Sequence, residues 1–125
     1  MFAEALARLY YDKWGLESVC LRIGALRERP LDRRHLSVWL SHRDGIDLVR
    51  RSLTSNDVGF AIIFGVSANR ESWWALGEDA ARLEYQPVDD ADNYRDDVTG
   101  PSPRRQGGPL SDPDYQGGLF WRPND

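Results

Sequence analysis

Several things are scarce in this sequence, and each scarcity narrows what the chain can be. It holds one cysteine, Cys20, so no disulfide can form within it, and a reducing address, the cytoplasm, is expected. No apolar run approaches the ~20 residues of a membrane-crossing helix. The opening residues, MFAEALARLYYDKW, carry acids and read as an amphipathic helix rather than an export signal. The two histidines, His35 and His42, have no cysteine at ligand spacing, so no metal site is expected. No G-x-G-x-x-G occurs, so these residues lack the turn that cradles a dinucleotide pyrophosphate. Lysine is nearly absent: of 16 basic residues only Lys13 is a lysine, and the others are arginines. Arginine suits bidentate recognition of carboxylate and phosphate, although gene base composition accounts for the bias equally well.

What is present describes one small soluble-type domain. The chain has 125 residues, 41% hydrophobic and 29% charged. Its net charge of −4 argues against a nucleic-acid partner. The stretch 22–38 holds five arginines but no aromatic residue on which bases could stack, which weighs further against RNA.

Phe2, Leu6, Leu9, Tyr10 and Trp14 recur at three- and four-residue spacing and predict a helix that ends at Gly15. Ser18–Ile23 is a short apolar run, read as a buried parallel strand stopped by Gly24. Residues 25–40 read as a polar loop interrupted by Pro30 and rejoining the core at Leu36, Val38, Trp39 and Leu40. Ser41-His-Arg-Asp44 matches a capping box with Asp in place of Glu, opening a helix that runs to about Thr54. Gly59–Gly65 predicts a second strand, and residues 72–83 a third helix closed by Pro87. Cys20 reads as a small core residue, and Trp73 and Trp74 as core or interface aromatics.

The expected fold class is α/β, with about three helices and two main parallel strands in an incomplete sheet. Residues 1–87 form the body. Residues 88–125 form an extended Gly/Pro-rich tail whose Tyr115, Leu119, Phe120 and Trp121 are expected to dock on the body or on a neighbouring subunit.

Several segments carry a family resemblance. LARLYYDKWGLESVCLRIG resembles the stretch that follows the Tyr-x-x-x-Lys of extended short-chain dehydrogenases, the NAD-dependent epimerase/dehydratase family. RPLDRRHLSVWLSHRDGIDLVRRSL, FGVSANRESWW and YQGG-x-F are similar to the uronate dehydrogenases within it. The resemblance implies a Rossmann-like fragment, the C-terminal, substrate-binding half of such an enzyme. The catalytic lysine would then fall immediately before Met1, and the catalytic tyrosine four residues earlier. The parent activity would oxidise the anomeric hydroxyl of galacturonate or glucuronate, with NAD taking the hydride.

On that resemblance Arg34 matches the arginine that grips the hexuronic acid carboxylate, against the plainer reading of a solvated loop arginine. Ala25 stands where a sugar-binding serine is expected, which removes a hydroxyl and leaves the choice of sugar acid open. Main-chain groups of Ile23, Gly24 and Leu26 would pass near the nicotinamide, against the plainer reading of a strand-to-loop turn. No catalytic residue is expected within the chain, no tight NAD binding by it alone, and a homo-oligomer is expected. A non-catalytic, self-associating interaction protein is the alternative, since an unpaired strand edge and an uncovered helix stripe both favour pairing.

Overall fold

Helix α1, Phe2–Trp14, forms where the apolar stripe predicts it and ends at Gly15, whose φ of +66° provides the left-handed cap. No residue of α1 is buried among the described residues, and Phe2 and Trp14 keep 82% and 65% of their surface exposed. A computed structural model describes residues 1–100, and every structural statement here concerns them. The expected docking residues Tyr115, Leu119, Phe120 and Trp121 and the YQGG segment lie outside that range.

After α1 come β1, Ser18–Ile23, and β2, Ala25–Leu26, then α2, His35–Val38, and β3, Trp39–Leu40. Helix α3, His42–Thr54, strand β4, Phe60–Gly65, helix α4, Gly77–Arg82, and a 3-10 helix, Ala91–Asp97, complete the order. β1 and β4 pair in parallel from Ser18↔Phe60 to Ile23↔Gly65, while β2 and β3 form a second, two-residue parallel pair. The class is α/β with parallel strands. The segment expected to be a polar loop contains this short pair and α2. The third helix is shorter than expected, because residues 72–76 are not helical.

Side chains alternate across β1 and β4, so the two faces meet different neighbours. Val19, Leu21, Ala61 and Ile63 pack with Leu48 of α3, Ala80 of α4 and Leu83 just beyond it in the main core. The opposite face meets α1. There Arg22 donates two hydrogen bonds of 2.8 Å to Glu4, and Arg8 and Arg22 lie over the rings of Phe60 and Phe64. The Arg22 guanidinium holds the Glu4 carboxyl below its ordinary range. Trp74 stacks on Phe64 with centroids 5.0 Å apart, which anchors the non-helical 72–76 stretch to the sheet.

The two edges of the β1–β4 sheet differ. On β4, the Ile62 N–H is taken by the Asp79 carboxylate of α4 at 2.8 Å. On β1, Ser18 and Gly24 donate to Gly59 and Gly65, so the intervening odd residues turn their backbone groups away from β4. No strand among the described residues pairs with that outer edge. Beside it runs an apolar trough of about 700 Å³, lined by Leu21, Ile23, Leu26, Ile46, Val49 and Leu53 among others.

The capping box of α3 forms in an altered way. Ser41 Oγ accepts from the Asp44 N–H at 3.0 Å, as the motif predicts. Asp44, one methylene shorter than Glu, does not close the box directly. Ser67 stands between: its Oγ accepts from the Ser41 N–H at 2.9 Å and donates to Asp44 Oδ2 at 2.6 Å. The same buried carboxylate accepts from the backbone N–H groups of Val88 and Asp89, at 2.9 and 3.0 Å. Residues 88–97 are thereby drawn onto the body, where Ala91 is fully buried against Leu36 and Trp39. No described helix is long and apolar enough to cross a membrane.

Asp44→Ala would leave one buried hydroxyl and two part-buried backbone donors short of a partner and should destabilise the chain by about 2 kcal/mol. A lowered urea midpoint with an unchanged denaturant slope is the expected result, and a loss below about 0.5 kcal/mol would contradict the assigned role.

Candidate functional site

Parallel strands deliver their carboxyl ends to one rim of a sheet, where ligands of open α/β folds bind. Here that rim is formed by Ile23 and Gly65 and by the segments that leave them. Gly24 donates to the Gly65 carbonyl at 3.0 Å and passes close to Val38; a Cβ on Gly24 would lie 2.0 Å from the Val38 oxygen. Only glycine fits, and its absent side chain lets Ala25 and Leu26 enter the ladder with Trp39 and Leu40.

The five residues singled out from the sequence fall on two parts of this rim. Ile23, Gly24, Ala25 and Leu26 form one continuous backbone track from β1 into β2. Gly24 and Ala25 are half-buried, whereas the side chains of Ile23 and Leu26 are exposed and line the apolar trough. Arg34 stands on the next segment, half-buried, directly before α2, and its carbonyl accepts from the Ser37 N–H at 3.0 Å.

The arginine-bearing loop 27–34 is tied at both ends. Arg27 N donates to the Leu40 carbonyl at 3.2 Å, and the Arg27 carbonyl accepts from the Trp39 indole at 2.9 Å. At the far end the Leu31 N–H donates to His35 Nδ1 at 3.0 Å, and Asp32 Oδ1 accepts from the His35 N–H at 3.0 Å. Burial pushes the His35 imidazole below its ordinary pKa, against the pull of Asp32. Behind the loop, Asn69 donates to the Trp39 carbonyl at 2.8 Å and accepts from the Ala91 N–H at 3.1 Å. Tyr94 meets the Trp39 ring edge-on at 5.6 Å. Trp39, Asn69 and Tyr94 thus form a backing to the rim that the sequence reading did not single out.

Chemically, among the described residues the rim offers guanidinium and backbone groups. The Tyr85 hydroxyl donates to the Val66 carbonyl at 3.0 Å, and burial raises its pKa further, so it is no base. Lys13, the sole lysine, lies over the Trp14 ring on α1. Among the described residues no group of three His, Cys, Asp or Glu side chains could hold a metal ion.

No family model matches the chain. Over 120 residues it is 37% identical to a uronate dehydrogenase of Pseudomonas syringae pv. tomato, a match that takes in 95% of this chain and 42% of that protein. A uronate dehydrogenase of Pseudomonas putida is 38% identical, again over 95% of this chain and 43% of its own length. The solved structure of a mutant uronate dehydrogenase from Agrobacterium tumefaciens complexed with NAD superposes with a TM-score of 0.78 at 34% identity, over 86% of this chain and 43% of that one. The chain therefore spans about two fifths of the length of the relatives it matches.

Asn69→Ala leaves the Trp39 carbonyl with the Ser67 N–H alone and takes the Asn69 acceptor from the buried Ala91 N–H. A cost of about 2 kcal/mol is expected, together with a weakened near-ultraviolet signal from the tryptophans. Circular dichroism during urea unfolding measures both, and an unchanged aromatic signal would remove Asn69 from the rim's support.

Proposed function

The chain belongs to the uronate dehydrogenase family, matching about two fifths of its relatives' length, and on that premise we propose that it forms the carboxylate-holding lobe of an NAD-dependent hexuronic acid dehydrogenase. The observation that carries the proposal is that Arg34 belongs to the segment leaving the carboxyl end of β1, in a loop tied at both ends. A planar guanidinium there can grip the carboxylate of glucuronate or galacturonate through two parallel hydrogen bonds. The half-buried Ala25 backbone would border the sugar, and the Ile23–Leu26 track would border the nicotinamide.

These 125 residues do not by themselves fit the dinucleotide. Their sequence contains neither the G-x-G-x-x-G of a pyrophosphate-binding turn nor the Tyr-x-x-x-Lys spacing of the pair that takes the hydroxyl proton. When bound, NAD supplies the hydride acceptor; this chain's share is to hold and orient the sugar acid. We place the activity in the cytoplasm, where a single unpaired cysteine is stable as a thiol.

The open β1 edge and the trough beside it support a second reading, a non-catalytic protein that associates with copies of itself. Complementation separates the two. The pure chain with NAD and glucuronate should form no NADH. Mixing it with the remaining three fifths of the Pseudomonas putida relative should restore turnover. Self-association without restored turnover favours the second reading, and turnover by the pure chain overturns the first. In glucuronate titrations followed by nuclear magnetic resonance, Arg34→Ala should weaken binding by at least about tenfold, with Arg34→Lys recovering part of the loss.

A further inference from the structure

We propose that the arginine loop, residues 27–34, is a second anion-binding subsite, which takes the next carboxylate of an oligouronide whose reducing-end ring is held by Arg34. The identity of the ligand rests on the carboxylate-holding reading of Arg34; the capacity of the loop for anions does not.

The distribution of ion pairs points to it. Eight described arginines lie outside this loop, and each pairs with a carboxylate, Arg8 with Asp12, Arg22 with Glu4 and Arg43 with Asp89 among them. Arg27, Arg29 and Arg33 are exposed, and no carboxylate among the described residues pairs with them. Acids stand close by in sequence without closing a pair. Glu28 lies between Arg27 and Arg29, while Asp32 is turned to His35, accepting from its backbone N–H and lying 3.8 Å from its ring. The chain as a whole is acidic, with a net charge of −4, so carboxylates are not in short supply. Gene base composition accounts for arginine in place of lysine, but not for three arginines on one loop left without the acids that the others have.

These cations stand on a fixed backbone. The Arg27 N–H and carbonyl are bonded to Leu40 and Trp39, Pro30 is buried, and the Leu31 N–H is bonded to His35. A depression of about 340 Å³, within the size range of small-molecule sites, lies against this backbone and is lined by Leu26, Arg27, Glu28, Arg29, Leu31 and His42. Leu26 also ends the Ile23–Leu26 track, so the depression continues the rim. Like charges held close together repel one another, and an anion seated among them relieves that repulsion. Guanidinium groups suit carboxylates in particular.

The structure of the sugar acid selects the ligand. Oxidation at the anomeric carbon, C1, needs a free hydroxyl there, which excludes a phosphate or nucleotide on that carbon. The carboxyl group is borne by C5, and C4 is the neighbouring ring atom. A chain extended from O4 therefore leaves the ring on the side that Arg34 holds, away from C1, and keeps its one free anomeric hydroxyl at the reducing end. The next ring brings a further carboxylate to the loop that carries Arg29 and Arg33. A single uronate has one carboxylate and leaves these two arginines unused.

The test titrates the whole chain with galacturonate and with 4-linked digalacturonate, followed by nuclear magnetic resonance at about 0.02 M and about 0.5 M sodium chloride. The disaccharide should bind at least about fivefold more tightly at low salt, with the excess shrinking at high salt. Arg29→Gln combined with Arg33→Gln alters only exposed side chains, and it should remove the excess while leaving galacturonate affinity within about twofold. Equal affinities for the two sugar acids overturn the proposal and leave the carboxylate-holding reading standing. So does an excess that survives the double substitution. Inorganic phosphate binding as tightly as the disaccharide also overturns the proposal, because it marks a general sink for anions. Disaccharide binding that Arg34→Ala leaves intact supports the subsite and sinks the carboxylate-holding reading. Binding of neither sugar acid overturns both.

Discussion

A buried carboxylate organises this molecule. Asp44 accepts from Ser67 and from the adjacent Val88 and Asp89, all far from it in sequence, and so joins the start of α3, the exit of β4 and the returning chain at 88–89. Leaving the buried Ser67 hydroxyl and these part-buried backbone donors without a partner costs more than a surface contact returns, so the carboxylate holds the three segments together. Asp89 continues the junction outward: it accepts from the Ser41 hydroxyl and pairs with Arg43, which holds its carboxyl below the ordinary range. The rim lies directly above, because Ser41 follows β3 and Ser67 N donates to the Trp39 carbonyl. Arg34 is thus placed by a chain of contacts that ends at a carboxylate with no expected part in binding.

Much of this was legible in the sequence, where the pattern was long enough to speak. The stripe from Phe2 to Trp14 and the runs 18–23 and 59–65 gave α1, β1 and β4 nearly residue for residue. The Ser41 cap was legible because its partner lies three residues away. The third helix was drawn too long because Trp73 and Trp74 resemble a helix stripe, whereas Trp74 is held by stacking on Phe64, a tertiary contact. β2 and β3 are two residues each, too short for any period, and exist because Gly24 permits a close pass by Val38. The capping box showed its residue types but not the interposed Ser67, since nothing local marks a partner more than twenty residues on.

The candidate site divides in the same way. Arg34 could be named only through family resemblance, since charge alone did not separate it from Arg33 or Arg29. The framework that fixes its loop was invisible: His35, Trp39 and Asn69 act through ring nitrogens and an amide whose partners depend on the fold. A loop of mixed charge and one proline reads as mobile from composition. It is held here because two rings from the adjoining buried run reach back to its ends.

The bare flank of β1 also carries directional information. Its one neighbour among the described residues, β4, runs parallel to it, so continuing the same sheet in the same sense calls for another strand pointing the same way. Two copies meeting flank to flank about a dyad normal to the sheet would instead run head to tail. The polarity of whatever strand occupies that position therefore separates a continued α/β sheet from a homodimeric one, independently of any chemistry at the rim.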